Sequence, residues 1–203
     1  MSNTIHKEYI SRLDQLALIA KEINQRIISG SDGELKGELF YKNANFFTKA
    51  LLTTMCAYLE SYLKDALMEM IDKFNQRLST ARLPHALVIR SLGSKPNNEP
   101  KNNNLANAQF RININRKDLD FHISGNPYKT KTLFEDFGIN LDGDEIFLSQ
   151  KEGIELIVNK RNKIMHHGDE ASDVSGDDLI NNIQLLTEYI KNVDALICKH
   201  LEQ

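Results

Sequence analysis

The chain has 203 residues, 41% of them hydrophobic and 26% charged, with a net charge of −3; this reads as one domain long enough to bury a core. The balance excludes a globally basic nucleic-acid binder, so any polyanion contact must come from a local patch. The N-terminus lacks a signal-type apolar run, and the longest nearly uncharged stretch, Ala50 to Leu59, is too short and too polar to span a bilayer.

Residues 5–29 carry Ile10, Leu13, Leu16, Ala17, Ala20, Ile23 and Ile27 at helical spacing, closed by Gly30-Ser31-Asp32-Gly33. A second, longer helix is expected from near Leu39 to about Ser79. Its stripe is Leu52, Met55, Leu59, Tyr62, Leu63, Ala66, Leu67, Met70 and Phe74. Pro84 bars its continuation. The Asn-rich 93–108 segment, with Pro96 and Pro100, reads as a loop. Alternation in 109–124 (Phe110, Ile112, Ile114, then Leu119, Phe121, Ile123) suggests a short β-hairpin turning at Arg116-Lys117-Asp118, with a short helix from Lys117 as the other option. The 93–124 stretch is thus an irregular insertion between the major helices. A short helix from Thr130 to Phe137 closes at Gly138. Ser149-Gln150-Lys151-Glu152 is a capping box expected to open the next major helix, and Ser175-Gly176-Asp177-Asp178 a weaker one opening the last, which runs to about Leu201. No internal repeat is visible. Cys56 and Cys198 fall inside helical patterns with no framework spacing, the pattern of reduced core thiols in a cytoplasmic protein. Together these elements predict an all-α fold, an antiparallel helical bundle spanning 1–203 as a single domain.

Arg161-Asn162-Lys163-Ile164-Met165-His166-His167-Gly168 ends the penultimate helix. At about 100° per residue, Ile154, Ile157, Val158, Ile164 and Met165 fall within roughly 120° of one another, and Arg161 lands near the centre of that stripe. A guanidinium on a core face needs a partner. Glu60, at the rim of the second helix's stripe, is the natural one, and the pair would leave other Arg161 donors to hold a phosphate. The structural reading of Arg161 is that the ion pair only fixes helix packing. Asn162 and His166 are four apart and share a helix edge. An imidazole exchanges protons in the neutral range and suits general acid–base work; a histidine in a last helical turn also simply favours the helix dipole. His167 points about 100° away from His166, so the two cannot chelate one metal from a regular helix. It can assist if the helix end frays. Lys160 and Lys163 add positive charge, either a solvated face or the surround of a phosphate site. His6, His85, His122 and His200 read as surface or packing residues. Asp142-Gly143-Asp144-Glu145 is not a calcium loop. Asp169-Glu170 and Asp177-Asp178 read as solvated charges, and no zinc spacing, phosphate-cradling glycine loop or nucleophile elbow is present.

The Arg-Asn-x-x-x-His pattern, its His-Gly tail and the upstream Tyr58-Leu59-Glu60-Ser61-Tyr62-Leu63-Lys64-Asp65 resemble the HEPN superfamily, in particular its prokaryotic RiboL-PSP and MAE-type branch. The resemblance covers roughly 40–75 and 149–200. It implies a metal-independent, cofactor-free endoribonuclease that cuts RNA through the substrate's own 2′-hydroxyl, leaving a cyclic phosphate and a 5′-hydroxyl. His166 would shuttle protons, Arg161 would stabilise the phosphorane and Asn162 would orient, with Glu60, Lys163 and His167 in support. Members often dimerise so that two motifs face one cleft. Many are toxins or antiviral defence effectors, which implies an antitoxin or defence-system partner and no membrane. Two alternatives stay open: a non-catalytic HEPN-like module for dimerisation or partner binding, with Arg161 purely structural, and a small-ligand or nucleotide-binding bundle in which Arg161 and His166 hold an anion.

Overall fold

The computed structural model describes residues 4–33, 35–91, 108, 110–120, 122–168 and 170–202. The fold is all-α, with helices α1 (Thr4–Ser31), α2 (Leu35–Lys42), α3 (Ala44–Ser79), α4 (His85–Ser91), α5 (Arg116–Asp120), α6 (Pro127–Asp136), α7 (Glu145–His167) and α8 (Gly176–Leu201), and a 3-10 turn at Leu141–Gly143. The chain divides into two compact units. One comprises Met1–Ala66 and Arg116–Gln203, the other Leu67–Asn115.

In the larger unit α1 packs on α2 and α8, and α7 packs on α8 and α6. Leu13, Leu52, Met55, Leu59, Tyr62, Ile154 and Val158, from the stripes that periodicity marks out, are each 2% exposed or less, and so are Phe134, Phe147, Leu186 and Tyr189, which complete the core. Each such aliphatic or Phe side chain contributes about 1.5–3 kcal/mol by leaving water. Tyr9 meets Tyr62 edge-on at 5.9 Å, and Phe147 meets Tyr189 at 5.8 Å. Helices α1 and α2 cross at Gly30 and Gly37 so closely that a Cβ on Gly37 would lie 2.3 Å from the Gly30 nitrogen.

The expected long second helix is instead two. The α2 and α3 segments are separated at Asn43, where Leu39 O accepts both from the Asn43 N–H at 3.2 Å and from its side-chain amide at 2.8 Å. The signature helix also starts earlier than the Ser149 box implies. Asp144 is its N-cap, accepting from Phe147 N at 2.7 Å, and Ser149 lies within the helix with its hydroxyl donating to Ile146 O. Asp144 wins because the extra turn brings Phe147 into the core. Ser175 and Asp178 do form a reciprocal capping box at the start of α8. Helix α6 begins at Pro127 behind the Asn126 cap, and Gly138 follows it at φ +81°.

In the smaller unit Leu67, Met70 and Ile71 are buried, and Pro84 directly precedes α4. The expected hairpin is not formed among the described residues: 110–115 have no regular structure. In the larger unit Arg116–Asp120, where the turn was expected, is the helix α5, fixed by Leu119 in the core and by ion pairs of Arg116 with Asp65 and Lys64 with Asp120. Most of the 93–108 segment, together with Phe121 and Asp169, lies outside the described residues. No described helix is long and apolar enough to cross a membrane.

Candidate active site

The last turns of α7 place the signature. Ile154, Ile157 and Val158 seat the helix on the core, and the same face carries Arg161 inward. Its side chain is 17% exposed and that of Glu60 is 23% exposed; Arg161 Nη2 donates to Glu60 Oε1. The two charges placed on apolar helix faces by periodicity therefore meet. The same nitrogen reaches Ser124 O at 3.4 Å, while the buried Nε has no hydrogen-bond partner among the described residues. Cys56 lies beside the guanidinium. Burial pushes its thiol up to about 11 against the downward pull of Arg161, so it is a neutral core group. Gly125, at φ +70°, lets the chain after Ser124 pass close to Val158 and Glu60. Sequence reasoning missed both the Ser124 carbonyl and Cys56. The first carries no side-chain signal, but Cys56 stands one turn before Glu60 on the same helix face and could have been found.

The helix then stops. Gly168 takes the left-handed conformation at φ 66°, and its N–H donates to Lys163 O. His166 and His167 occupy the final turn and are both exposed. The apolar stripe frays here too: Ile164 is half-buried, and Met165 is 57% exposed instead of packing in the core.

A groove of about 760 Å³ runs along α7 and α8, lined by Lys160, Asn162, Lys163 and His167 on one side and Asn182 and Leu185 on the other. Exposed Leu156 adds apolar surface to it. His167 lines this groove. Arg161 and His166 do not, so the structure separates the signature into an inward arginine, a groove-lining set and an exposed histidine.

The acidic loop after α7 is more than a solvated charge run. Lys160 pairs with Asp173, and Lys49 pairs with Glu170 at 2.9 Å. Lys163 is exposed. Sequence reasoning also passed over His6 as a packing residue. Its Nδ1 lies 2.9 Å from Asp194 Oδ2. Asp194 is only 6% exposed among the apolar residues of α8, which was the available signal. Its charge and, above all, burial hold the Tyr62 hydroxyl far above its ordinary range. Among the described residues no three of His, Cys, Asp and Glu stand together as a metal-holding group.

Among curated proteins and solved structures none matches the chain. A protein-family comparison does: the RiboL-PSP-HEPN model matches residues 7–199, well beyond the 40–75 and 149–200 segments that carry the sequence resemblance. With the paired Glu60 and Arg161 and the glycine-ended signature helix inside that span, the chain belongs to the RiboL-PSP-type HEPN family.

Proposed function

We propose that the protein is an endoribonuclease that cleaves RNA by attack of the 2′-hydroxyl on the adjacent phosphate, without a metal. The observation that carries this reading is the Arg-Asn-x-x-x-His signature at the end of α7, with His166 exposed one residue from a groove lined by Asn162, Lys163 and His167. The chemistry needs a proton acceptor for the 2′-hydroxyl, a proton donor for the leaving 5′-oxygen and positive charge on the phosphorane. His166 fills the first two roles in turn or with a second copy of itself, and general acid–base action of this kind contributes about 10²–10⁴-fold. Arg161 supplies charge that Glu60 orients, and Asn162 positions the phosphate or the imidazole. Such fixed charges act at a developing oxyanion without having to reorganise. A homodimer bringing two signature helices to one cleft supplies both acid and base, and two-fold contacts are the commonest way to build an oligomer. A toxin or defence role, with a protein partner that restrains it, fits an RNA-cutting activity of this type.

His166→Ala should abolish cleavage of single-stranded RNA while the far-ultraviolet circular dichroism is kept, and EDTA should leave the parent active. Undiminished cleavage by the variant refutes the role of His166, and full inhibition by EDTA refutes the metal-free chemistry. One observation favours a second reading: Arg161 faces inward onto Glu60 and Ser124, as a purely structural arginine in a non-catalytic dimerisation or partner-binding module would. RNA that stays intact with the parent protein and its dimer selects that reading.

A further inference from the structure

The charge of the chain is unevenly divided. Between 67 and 115 there are seven Lys and Arg against three Asp and Glu, whereas the whole chain has 25 against 28. The smaller unit is therefore basic and the remainder acidic. Within this unit a groove of about 740 Å³ runs along the end of α3, bordered by Asp72 and Gln76 on the helix and by Arg82, Phe110 and Arg111 on the chain that follows and returns.

The groove is built, not incidental. The side-chain amide of Asn75 grips the backbone of Ile112 twice: Ile112 N donates to Oδ1 at 2.7 Å and Nδ2 donates to Ile112 O at 3.2 Å. This peptide-like pairing fixes the returning segment and so the position of Arg111. A second tie, Ala108 N to Leu83 O at 2.8 Å, fixes the neighbourhood of Arg82. Arg82 and Arg111 are exposed. Neither forms a salt bridge among the described residues, although Glu69 and Asp72 belong to the same unit.

We propose that this groove binds the backbone of single-stranded RNA, with Arg82 and Arg111 each taking a phosphate. Guanidinium suits phosphate through its two-pronged donor geometry. The half-buried Phe110 and the side chain of Gln76 offer a flat apolar surface and an amide to a base, the usual pairing with a cationic track in single-strand binding. The choice of RNA as the polyanion rests on the ribonuclease reading above. The groove residues all belong to the smaller unit and the signature helix to the larger, and the overall negative charge of the chain makes a local basic unit the place to look for such binding.

The test is fluorescence anisotropy with the full chain and a labelled 2′-O-methyl RNA 20-mer. That strand lacks the attacking hydroxyl, so binding is read whether or not the protein cuts RNA. Between 50 and 200 mM salt, Arg82→Ala/Arg111→Ala should weaken binding about tenfold and reduce the slope of log affinity against log salt by about 1.4, the loss of two single-strand phosphate contacts. Arg82→Lys/Arg111→Lys should keep the slope. Asp72→Asn removes the carboxylate at the groove and should tighten binding by about two- to fivefold, a gain that misfolding cannot mimic. No measurable binding by the parent at 50 mM salt, an unchanged slope in the double alanine variant, or no gain with Asp72→Asn each overturns the proposal. If His166→Ala stops cleavage while the double alanine variant binds normally, the groove falls and the ribonuclease reading stands.

Discussion

Removing Glu60 should expose how much the inward arginine depends on it. In a fully buried pair, deleting one partner costs about 3–5 kcal/mol because the other charge is left uncompensated. Here the side chains are 23% and 17% exposed, so water reaches part of the guanidinium and the cost falls to about 2 kcal/mol. Little else replaces the carboxylate, since Ser124 O lies at 3.4 Å and Nε has no partner among the described residues. For a chain of this size the loss corresponds to about 4–8 °C in melting temperature, measured by circular dichroism at pH 7. Glu60→Gln keeps an acceptor oxygen and should lose roughly half as much. The decisive arm is the double change: adding Arg161→Met to Glu60→Ala removes the orphaned charge and should recover at least half of the lost stability. That double variant should be folded and yet inactive on RNA. A Glu60→Ala shift under about 1 °C, or a double variant less stable than Glu60→Ala alone, would refute the argument and leave the contact as an ordinary screened surface pair.

Three further outcomes follow from the same geometry. Mixed Arg161→Ala and His166→Ala subunits should regain cleavage that neither has alone, if two signatures share one cleft; light scattering showing a monomer that still cuts RNA disproves this. Cys56, with its thiol near 11, has about one thiolate in a thousand at pH 8, so iodoacetamide should leave it unmodified in the native protein and modify it after denaturation, as read by mass spectrometry; rapid native labelling contradicts its burial. Asp178 accepts from the Ser175 hydroxyl at 2.7 Å and from the Ser175 N–H at 2.9 Å, which hold its carboxyl below the usual range. The unfolded chain then takes up the proton first, so this contribution is complete above about pH 4 and is lost as pH falls through the lowered folded value. Asp178→Asn should accordingly flatten the acid limb of the melting-temperature curve below pH 4, and a limb parallel to that of the parent counts against the capping box.

What could be read from the residues alone was whatever repeats over many turns. The stripe from Leu52 to Met70 and the one through Ile154, Ile157 and Val158 are long enough that no local feature competes with them, and both are buried as read. The meeting of Glu60 with Arg161 was legible for a related reason, since each charge stands out against its own apolar background. Boundaries were less legible. The helix is interrupted at Asn43, just inside the expected second helix, and Asp144 out-competes Ser149 as a cap because Phe147 gains burial, a tertiary effect that no local pattern records. The β reading of 109–124 failed because alternation over so few residues is shared by a helix with one buried side chain: Leu119 goes inward from the α5 helix, between Lys117 and Asp120 on its flanks. The signature residues were identifiable in the sequence, but their division was not. Which of them line the groove depends on how α8 packs back along α7, and tertiary contacts set that packing where no local pattern records it.

The acidic loop that follows α7 bears on the proposed phosphate chemistry, because its carboxylates occupy two nearby lysines. Asp173 and Glu170 already hold Lys160 and Lys49, so an incoming phosphate at these lysines enters an exchange with tethered carboxylates. Tethering gives such a carboxylate a local concentration in the millimolar range or above, which a dilute single phosphate cannot match. The loop carboxylates are 68% and 72% exposed, so each hold is weak and yields to several phosphates presented in series. If the proposed RNA cleavage takes place at the end of α7, mononucleotides and inorganic phosphate should compete poorly there, and a polymer that displaces both carboxylates at once should bind.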